Sequence, residues 1–580
     1  MRQTSEKVFS GIGVSHGIAI GDAYVVQVEH PRIQIFSIDD VAAECARLNT
    51  AIAQAKQDIL EIRENLSARR EESSEEIILL LDAHLAMLSG SRLVRGAVKR
   101  IEDGKINAEA AIEAEVRHLA DQFRRLQDTY ISARIDDIEA VGNRLLRLLM
   151  GVPYLTLSAV PPSGIVLARD ISPSDMAQMD PAVFGGLATV HGGAAGHTAV
   201  IARSFGLPAV LGIPEEALEE AGSRCRIIID GIGGMVILHP RPDTEKKYAQ
   251  KLADIKEDAS QLARLVSQRA VTSDGIDIVL RANLELPREM PAILSSGAQG
   301  IGLFRTEFLF MNRPDLPGEQ EQFDAMAEVV HKAKGESVTF RTLDIGGDKL
   351  AASLGRYIAE AQNPALGLRA IRLSLKEPHI LKTQFRAILR VGALGPVRIL
   401  LPMVTTAREV NQARDILEAA FDELKKEGVN MAADLPPVGT MIEIPAAALA
   451  ADSLAAVSDF FALGTNDLVQ YTVAIDRGND QVASLYDPLN PAVLRLMKFS
   501  IDAGLRAGLR VSICGEMAAD PLYTPLLLGM GLQEISVGPA SLPRIKRRIR
   551  NLSMADCKAH TLQVLDQYDP EKIHHIVRSF

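Results

Sequence analysis

Two groups of residues in this chain have the types and spacing that chemistry needs. The first is a glycine-rich turn, His191-Gly-Gly-Ala-Ala-Gly-His197-Thr-Ala-Val-Ile-Ala-Arg203-Ser, which delivers His197 to the start of an apolar helix. Such a turn leaves backbone N–H groups unpaired around the imidazole, and the positive end of the helix dipole points at the same place. That arrangement suits a phosphorylated side chain. It also disfavours imidazolium, so the ring stays neutral and nucleophilic at neutral pH. A loop histidine by itself is more often merely solvated, so the turn gains meaning only if the chain also holds a phosphoryl donor.

The second group lies in the C-terminal half: the guanidinium groups of Arg305, Arg341, Arg369 and Arg477, the carboxylates of Glu443 and Asp467, the amide of Asn466 and the thiol of Cys514. Guanidinium forks match phosphate and carboxylate oxygens, so several converging on one place imply a small polyanion. Two carboxylates beside them would repel that anion unless a cation bridges, and Mg2+ typically takes one or two carboxylates together with substrate oxygens and water. Cys514 follows an apolar run and precedes Gly515-Glu516. An unperturbed thiol is largely protonated at neutral pH and can act as a general acid. No histidine lies near it in sequence to activate it as a nucleophile. Singly, a buried cysteine is usually a small apolar side chain and an arginine usually a surface ion-pair partner.

The elements that must position these groups follow from the punctuation of the chain. No proline occurs between Pro31 and Pro153, and that interval carries apolar residues at helical period, among them Leu48, Ile52 and Ile59, then Leu81, Leu85 and Leu88, then Val141, Leu145 and Leu148. A bundle of four or more helices is expected there. Before it, the segment from Gly11 to Val26 alternates like short strands and tight turns; after it, Gly164, Gly186, Ala209 and Arg226 open further strand-like runs. The helical unit is therefore expected as an insertion into an α/β domain that contains His197. A charged helical segment from about Thr244 to Arg269 then leads into repeated strand and helix patterns, with strands expected at 276–282, 300–304, 337–343, 397–403, 438–442, 460–463, 511–514 and 534–537. Eight parallel strands with intervening helices predict a closed (β/α)8 barrel, whose chemistry sits at the carboxyl ends of the strands. Arg305-Thr-Glu, Arg341, the run Asp344 to Lys349, Glu443, Gly464-Thr-Asn466-Asp467 and Cys514-Gly-Glu516 all fall at or just after those ends.

Composition narrows the function classes. Hydrophobic residues are 47% and charged residues 24% of 580, as in an ordinary globular protein. No apolar run follows Met1-Arg-Gln-Thr-Ser-Glu-Lys, and the stretch Pro445 to Val457 is broken by Asp452 and too short to span a bilayer, so a cytoplasmic protein without membrane insertion is expected. The four cysteines are far apart with no Cys-x-x-Cys, against a zinc site or a disulfide framework. A net charge of -11 argues against nucleic acid and leaves room for a small partner with a basic face.

Taken together, the motifs closely resemble the Enzyme I family of the bacterial phosphoenolpyruvate-dependent sugar phosphotransferase system, over nearly the whole chain. The resemblance rests on Gly-Leu-Phe-Arg305-Thr-Glu-Phe-Leu-Phe-Met, Arg341-Thr-Leu-Asp-Ile-Gly-Gly-Asp-Lys, Gly-Thr-Asn466-Asp467-Leu-Val-Gln-Tyr and Asp476-Arg477-Gly-Asn-Asp in this order. It implies a phosphohistidine at Nε2 of His197, phosphoenolpyruvate binding by Arg305, Arg341, Asn466, Asp467 and Arg477 with Arg369 and Lys349 beside them, Mg2+ on Glu443 and Asp467, and Cys514 as the proton donor that turns the leaving enolate into pyruvate. It further implies four segments: an α/β phosphohistidine domain from 1–34 plus 155–243, an inserted helical domain 35–154, a linker helix 244–271, and a barrel 272–580 that also dimerises.

The family passes its phosphoryl group to a small histidine phosphocarrier protein of the HPr type, docked on the helical domain. Here Glu71, Glu72, Glu75 and Glu76 precede an apolar helix that carries His84, and Glu75, Glu76 and His84 are expected at that interface. Because His197 must serve both the barrel and the carrier, rigid-body movement near 244–269 is implied. Family members usually have Arg-Thr-Ser where this chain has Ala194-Ala195-Gly196, and with Ser172 and Arg203 as the remaining polar neighbours a phosphohistidine of altered lifetime is expected. Competing readings are a nitrogen-branch paralogue and a non-catalytic regulator that binds the carrier.

Overall fold

The computed structural model describes residues 5–15, 17–26, 33–69, 74–124, 129–151, 160–171, 184–193, 197–222, 224–311, 313–346, 352–354, 357, 363–477 and 481–580. Glu71, Glu72, Ser172, Ala194, Ala195, Gly196 and Lys349 lie outside the described residues. So do the side chains of Glu75, Glu76 and His197, whose backbone is described. The chain forms two compact units, Met1–Asp258 and Ala259–Phe580.

The first unit is built on an eight-stranded sheet. Its strands are β1 (Lys7–Ser10), β2 (Ile12–Ser15), β3 (Ile18–Val26), β4 (Gly164–Ala168), β5 (Phe184–Thr189), β6 (Ala209–Leu211), β7 (Arg224–Asp230) and β8 (Met235–Leu238), in the order β1-β8-β7-β3-β4-β5-β6-β2. Strands β3 to β6 run parallel to one another, whereas β7 pairs antiparallel with β3 and β2 antiparallel with β6. Neighbouring parallel strands need a long crossover. Between β3 and β4 that crossover contains the helical bundle, made of α1 (Val41–Arg69), α2 (Ser74–Leu88), α3 (Arg92–Gly104), α4 (Ala108–Arg124) and α5 (Thr129–Met150). Its core is the apolar stripe that the sequence predicts: Leu48, Ile52 and Ile59 of α1 meet Leu81 and Leu88 of α2, Ile112 of α4, and Val141 and Leu145 of α5. A charged helix, Pro242–Leu265, follows the sheet.

The second unit is a closed barrel of eight parallel strands: β9 (Val279–Leu284), β10 (Ile301–Arg305), β11 (Val338–Arg341), β12 (Val397–Leu401), β13 (Val438–Ile442), β14 (Phe460–Leu463), β15 (Arg510–Cys514) and β16 (Glu534–Val537). Each expected strand is present, with ends shifted by up to three residues at five of the eight. Leu303, Leu400, Met441, Phe460, Ala462 and Cys514 pack together as an interior layer. Toward the amino ends of the strands lies a buried charge cluster. There Arg281 Nε and Arg398 Nη2 both donate to Glu534 Oε1, at 2.9 and 2.8 Å, so polar groups fill the interior opposite the mouth. Among the described residues no helix is long and apolar enough to cross a membrane.

Candidate active site

Strand register collects the predicted groups at the carboxyl end of the barrel. Arg305 and Arg341 are the last residues of β10 and β11 and lie side by side in the ladder. Ile442 and Leu463 are paired at the ends of β13 and β14, so Glu443 and Gly464 emerge together, and Cys514 ends β15. The helix Thr465–Val473 starts at once after Gly464 and carries Asn466 and Asp467 in its first turn. Chemistry at strand ends is what a barrel of this class leads one to expect.

Arg341 is buried and enclosed by carboxylates. Its Nη2 lies 2.6 Å from Glu307 Oε1, and its Nη1 lies 3.1 Å from Asp344 Oδ2. Arg369 Nη2 sits 2.9 Å from Asp344 Oδ1, and the Asp344 N–H donates to Glu307 Oε1 at 3.2 Å. Burial by itself would lower the Arg341 pKa, but the charges of Glu307, Asp344 and Glu443 outweigh it and hold the guanidinium firmly protonated. Arg305 pairs with Glu285, and Arg477 Nη1 stands 3.5 Å from Glu516 Oε1. Asn466 is oriented by the same glutamate: the Glu516 N–H donates to Asn466 Oδ1 at 2.9 Å, and Asn466 Nδ2 donates to Glu516 Oε1 at 3.1 Å. Gly515 is what lets the chain pass here, because a Cβ on it would lie 2.1 Å from Thr465 Oγ1.

Glu443 is fully buried. Its Oε1 accepts the N–H of Met403, a residue held at φ 56°, while its Oε2 has no hydrogen-bond partner. Burial, then the charges of Asp467 and Asp344, push this carboxyl well above its usual range. Gly464 makes the space, since a Cβ there would stand 2.8 Å from Oε2. An orphaned buried carboxylate oxygen with a second carboxylate close by is a poor arrangement without a cation and a natural one for Mg2+, which needs only one or two carboxylates. Among the described residues no three His, Cys, Asp or Glu side chains group closely enough to hold a metal on their own.

Cys514 is 6% exposed, and its Sγ faces the Leu463 carbonyl at 3.7 Å. Burial pushes the thiol up to about 12; Arg341 and Arg305 pull it down, and Glu443 and Asp467 push it further up. It is therefore a neutral thiol at the mouth, both a core side chain and a held proton.

In the first unit, His197 opens the helix His197–Ser204 between the parallel strands β5 and β6. The turn before it is pinned where it is described: His191 N–H donates to Arg169 O at 2.9 Å, and Thr189 Oγ1 donates to His191 O at 2.6 Å. Arg203 lies in the last turn of the same helix.

The expectation for His84 is corrected. It is 1% exposed, inside the bundle, with Nε2 3.5 Å from Asp137 Oδ1. It lies at helical spacing from Leu81 and Leu88 and so shares their buried face, out of reach of a docked partner. Residues without an assigned role in the sequence reading also belong here: Glu307, Asp344, Glu285 and Glu516 as counter-charges, Tyr471, whose Oη donates to Ala365 O at 2.7 Å, and Tyr486, whose Oη donates to Asn466 O at 3.2 Å. The signal for the acids was present, since each of the four follows a strand end within a few residues.

Residues 259–554 match the family model described as the PEP-binding domain of PEP-utilising enzymes, residues 10–134 the one for the N-terminal domain, and residues 160–234 the one for the mobile domain. The chain is 38% identical over 573 residues to phosphoenolpyruvate-protein phosphotransferase of Priestia megaterium, covering 99% of each. It is 41% identical over 574 residues to the protein of that name from Cupriavidus necator, covering 97% of each. An NMR solution structure of an Enzyme I protein is 31% identical with a TM-score of 0.38, over 43% of this chain and 99% of that one.

Proposed function

The chain belongs to the phosphoenolpyruvate-protein phosphotransferases, the Enzyme I family, and we propose from this that His197 is the phosphoryl acceptor and the barrel mouth the phosphoenolpyruvate site. One observation carries the reading: guanidinium groups and a buried, unpartnered carboxylate oxygen of Glu443 share one barrel mouth with a neutral thiol.

Arg305, Arg341, Arg369 and Arg477 bind the phosphate and carboxylate oxygens of the substrate, with Asn466 donating a further hydrogen bond and Lys349 as an added cation. Glu443 and Asp467 would hold Mg2+, which when bound neutralises phosphate charge and lowers the repulsion met by the nucleophile. A nitrogen of His197, Nε2 in this reading, forms a bond to phosphorus as the bond from phosphorus to the enol oxygen breaks in line. Fixed guanidinium charges stabilise the spread negative charge of that transition state. The electron pair returns to pyruvate enolate, and the Cys514 thiol gives its proton to the methylene carbon, to be reprotonated from solvent. Its raised pKa keeps the proton in place until a carbon base is present.

Phospho-His197 then passes its group to an HPr-type carrier docked on the bundle, where the acidic start of α2 at Glu75 and Glu76 offers steering charge. Cytoplasmic action and a homodimer through the barrel belong to the same proposal, as do the four segments 1–34 plus 155–243, 35–154, 244–271 and 272–580. Incubation with labelled phosphoenolpyruvate and Mg2+ tests it. An acid-labile, base-stable label that is lost in His197→Ala supports the reading; an unlabelled wild type overturns it.

A further inference from the structure

The substrate arginines divide into two kinds by the exposure of their counter-charges. Arg341 and Arg369 are held by Glu307 and Asp344, and in these pairs the side chains are 4 to 8% exposed. Arg305 and Arg477 are held by Glu285 and Glu516, which are 61% and 81% exposed, with the arginines 41% and 44% exposed. Breaking a buried pair leaves an uncompensated charge out of water and is strongly unfavourable. Parting an exposed pair costs little, because solvent already screens both ions.

We propose that Glu285 and Glu516 are displaceable counter-anions of the substrate site, which occupy its rim cations when it is free and yield them when a polyanion enters. The proposal rests on reading the barrel mouth as the phosphoenolpyruvate site, and it adds what sets affinity there. Glu516 is the clearer of the two. Its backbone N–H fixes the Asn466 amide through Oδ1, while its carboxylate accepts a hydrogen bond from Asn466 Nδ2 and faces Arg477. A substrate anion that replaces the carboxylate therefore meets an amide already pointed at it. Arg305 meets Glu285 just past the end of β9, whereas Arg477 meets Glu516 just past the end of β15, so the two pairs are separate features of the rim. Glu285 and Glu516 thus set the affinity of the rim for an entering polyanion, and they are positioning residues rather than catalytic ones.

Calorimetric titration of inorganic phosphate into Mg2+-supplemented wild type, Glu285→Gln, Glu516→Gln and the double variant tests this without any turnover. Each single substitution should tighten phosphate by about 2- to 5-fold, the range exposed ion pairs support, and the double variant by the product of the two. The apparent KM for phosphoenolpyruvate should fall in parallel, a change a merely structural role would not produce. Unchanged or weaker phosphate binding in both single variants overturns the proposal. If phosphoenolpyruvate fails to displace phosphate from the wild type, the reading of the mouth as its site fails instead, and the two failures are told apart.

Discussion

Glu307 and Arg341 meet across the ends of β10 and β11 at 2.6 Å, each almost fully buried, and together with Asp344 they form the rigid side of the barrel mouth. Glu307→Gln keeps the volume and removes the charge. Asp344 still faces Arg341, so the loss should sit near the low end for a broken buried pair, about 3 kcal/mol. A lower denaturation midpoint of the barrel together with a raised KM for phosphoenolpyruvate is expected. Wild-type stability in this variant would mean that Asp344 alone balances the guanidinium.

For Glu443, the orphaned oxygen should be where a divalent cation binds. Glu443→Ala is expected to abolish His197 labelling, and chelation of the wild type should do the same. Mn2+ used as a paramagnetic stand-in for Mg2+ gives a readout independent of turnover: its bound signal should be present in the wild type and absent in the variant. Equal Mn2+ binding in both proteins would remove Glu443 from the ligand set.

Cys514→Ala should cut pyruvate formation by about 10²- to 10⁴-fold, the usual contribution of a placed general acid. The same group must take a proton from pyruvate in reverse, so exchange of pyruvate methyl protons into deuterated water should slow alongside. Burial pushes the thiol up to about 12, so turnover is expected to hold between neutral and moderately alkaline pH, as a pH profile of pyruvate formation would check. Unchanged exchange in the variant would falsify the proton-donor role.

The barrel was legible in the sequence because strand ends and polar motifs coincide: Arg305, Glu443 and Cys514 each terminate an apolar run, and each lies at or just past a strand end. Counter-charges were harder to read. Glu307 and Arg341 are 34 residues apart and become neighbours only through the register of β10 and β11, which local pattern does not specify. His84 shows the opposite failure. Its spacing from Leu81 and Leu88 already placed it on the buried stripe of α2, but its polarity and the acidic residues upstream drew it to the surface in the sequence reading. For a residue in a long amphipathic helix, position on the wheel outweighs residue type.

The connection between the start and the end of the barrel unit is open to a pH test. Asp274 Oδ1 accepts hydrogen bonds from Thr272 Oγ1 at 2.6 Å and from the Met554 N–H at 3.0 Å, and its Oδ2 accepts from the Ala555 N–H at 3.3 Å, so it caps the helix Met554–Leu565 from 280 residues away. The Thr272 hydroxyl and then the Met554 amide hold its carboxyl down at about 2, against an ordinary 3.8. A depressed folded-state pKa means that the ionised form is favoured by folding; its contribution is complete above the unfolded value and fades as pH falls from about 3.8 through about 2. Asp274→Ala should therefore lower the unfolding midpoint of the barrel at neutral pH, and the gap between variant and wild type should narrow as the pH is brought down through that window. A gap that stays constant with pH would show that the carboxylate charge has no part in tying Thr272 to the helix Met554–Leu565.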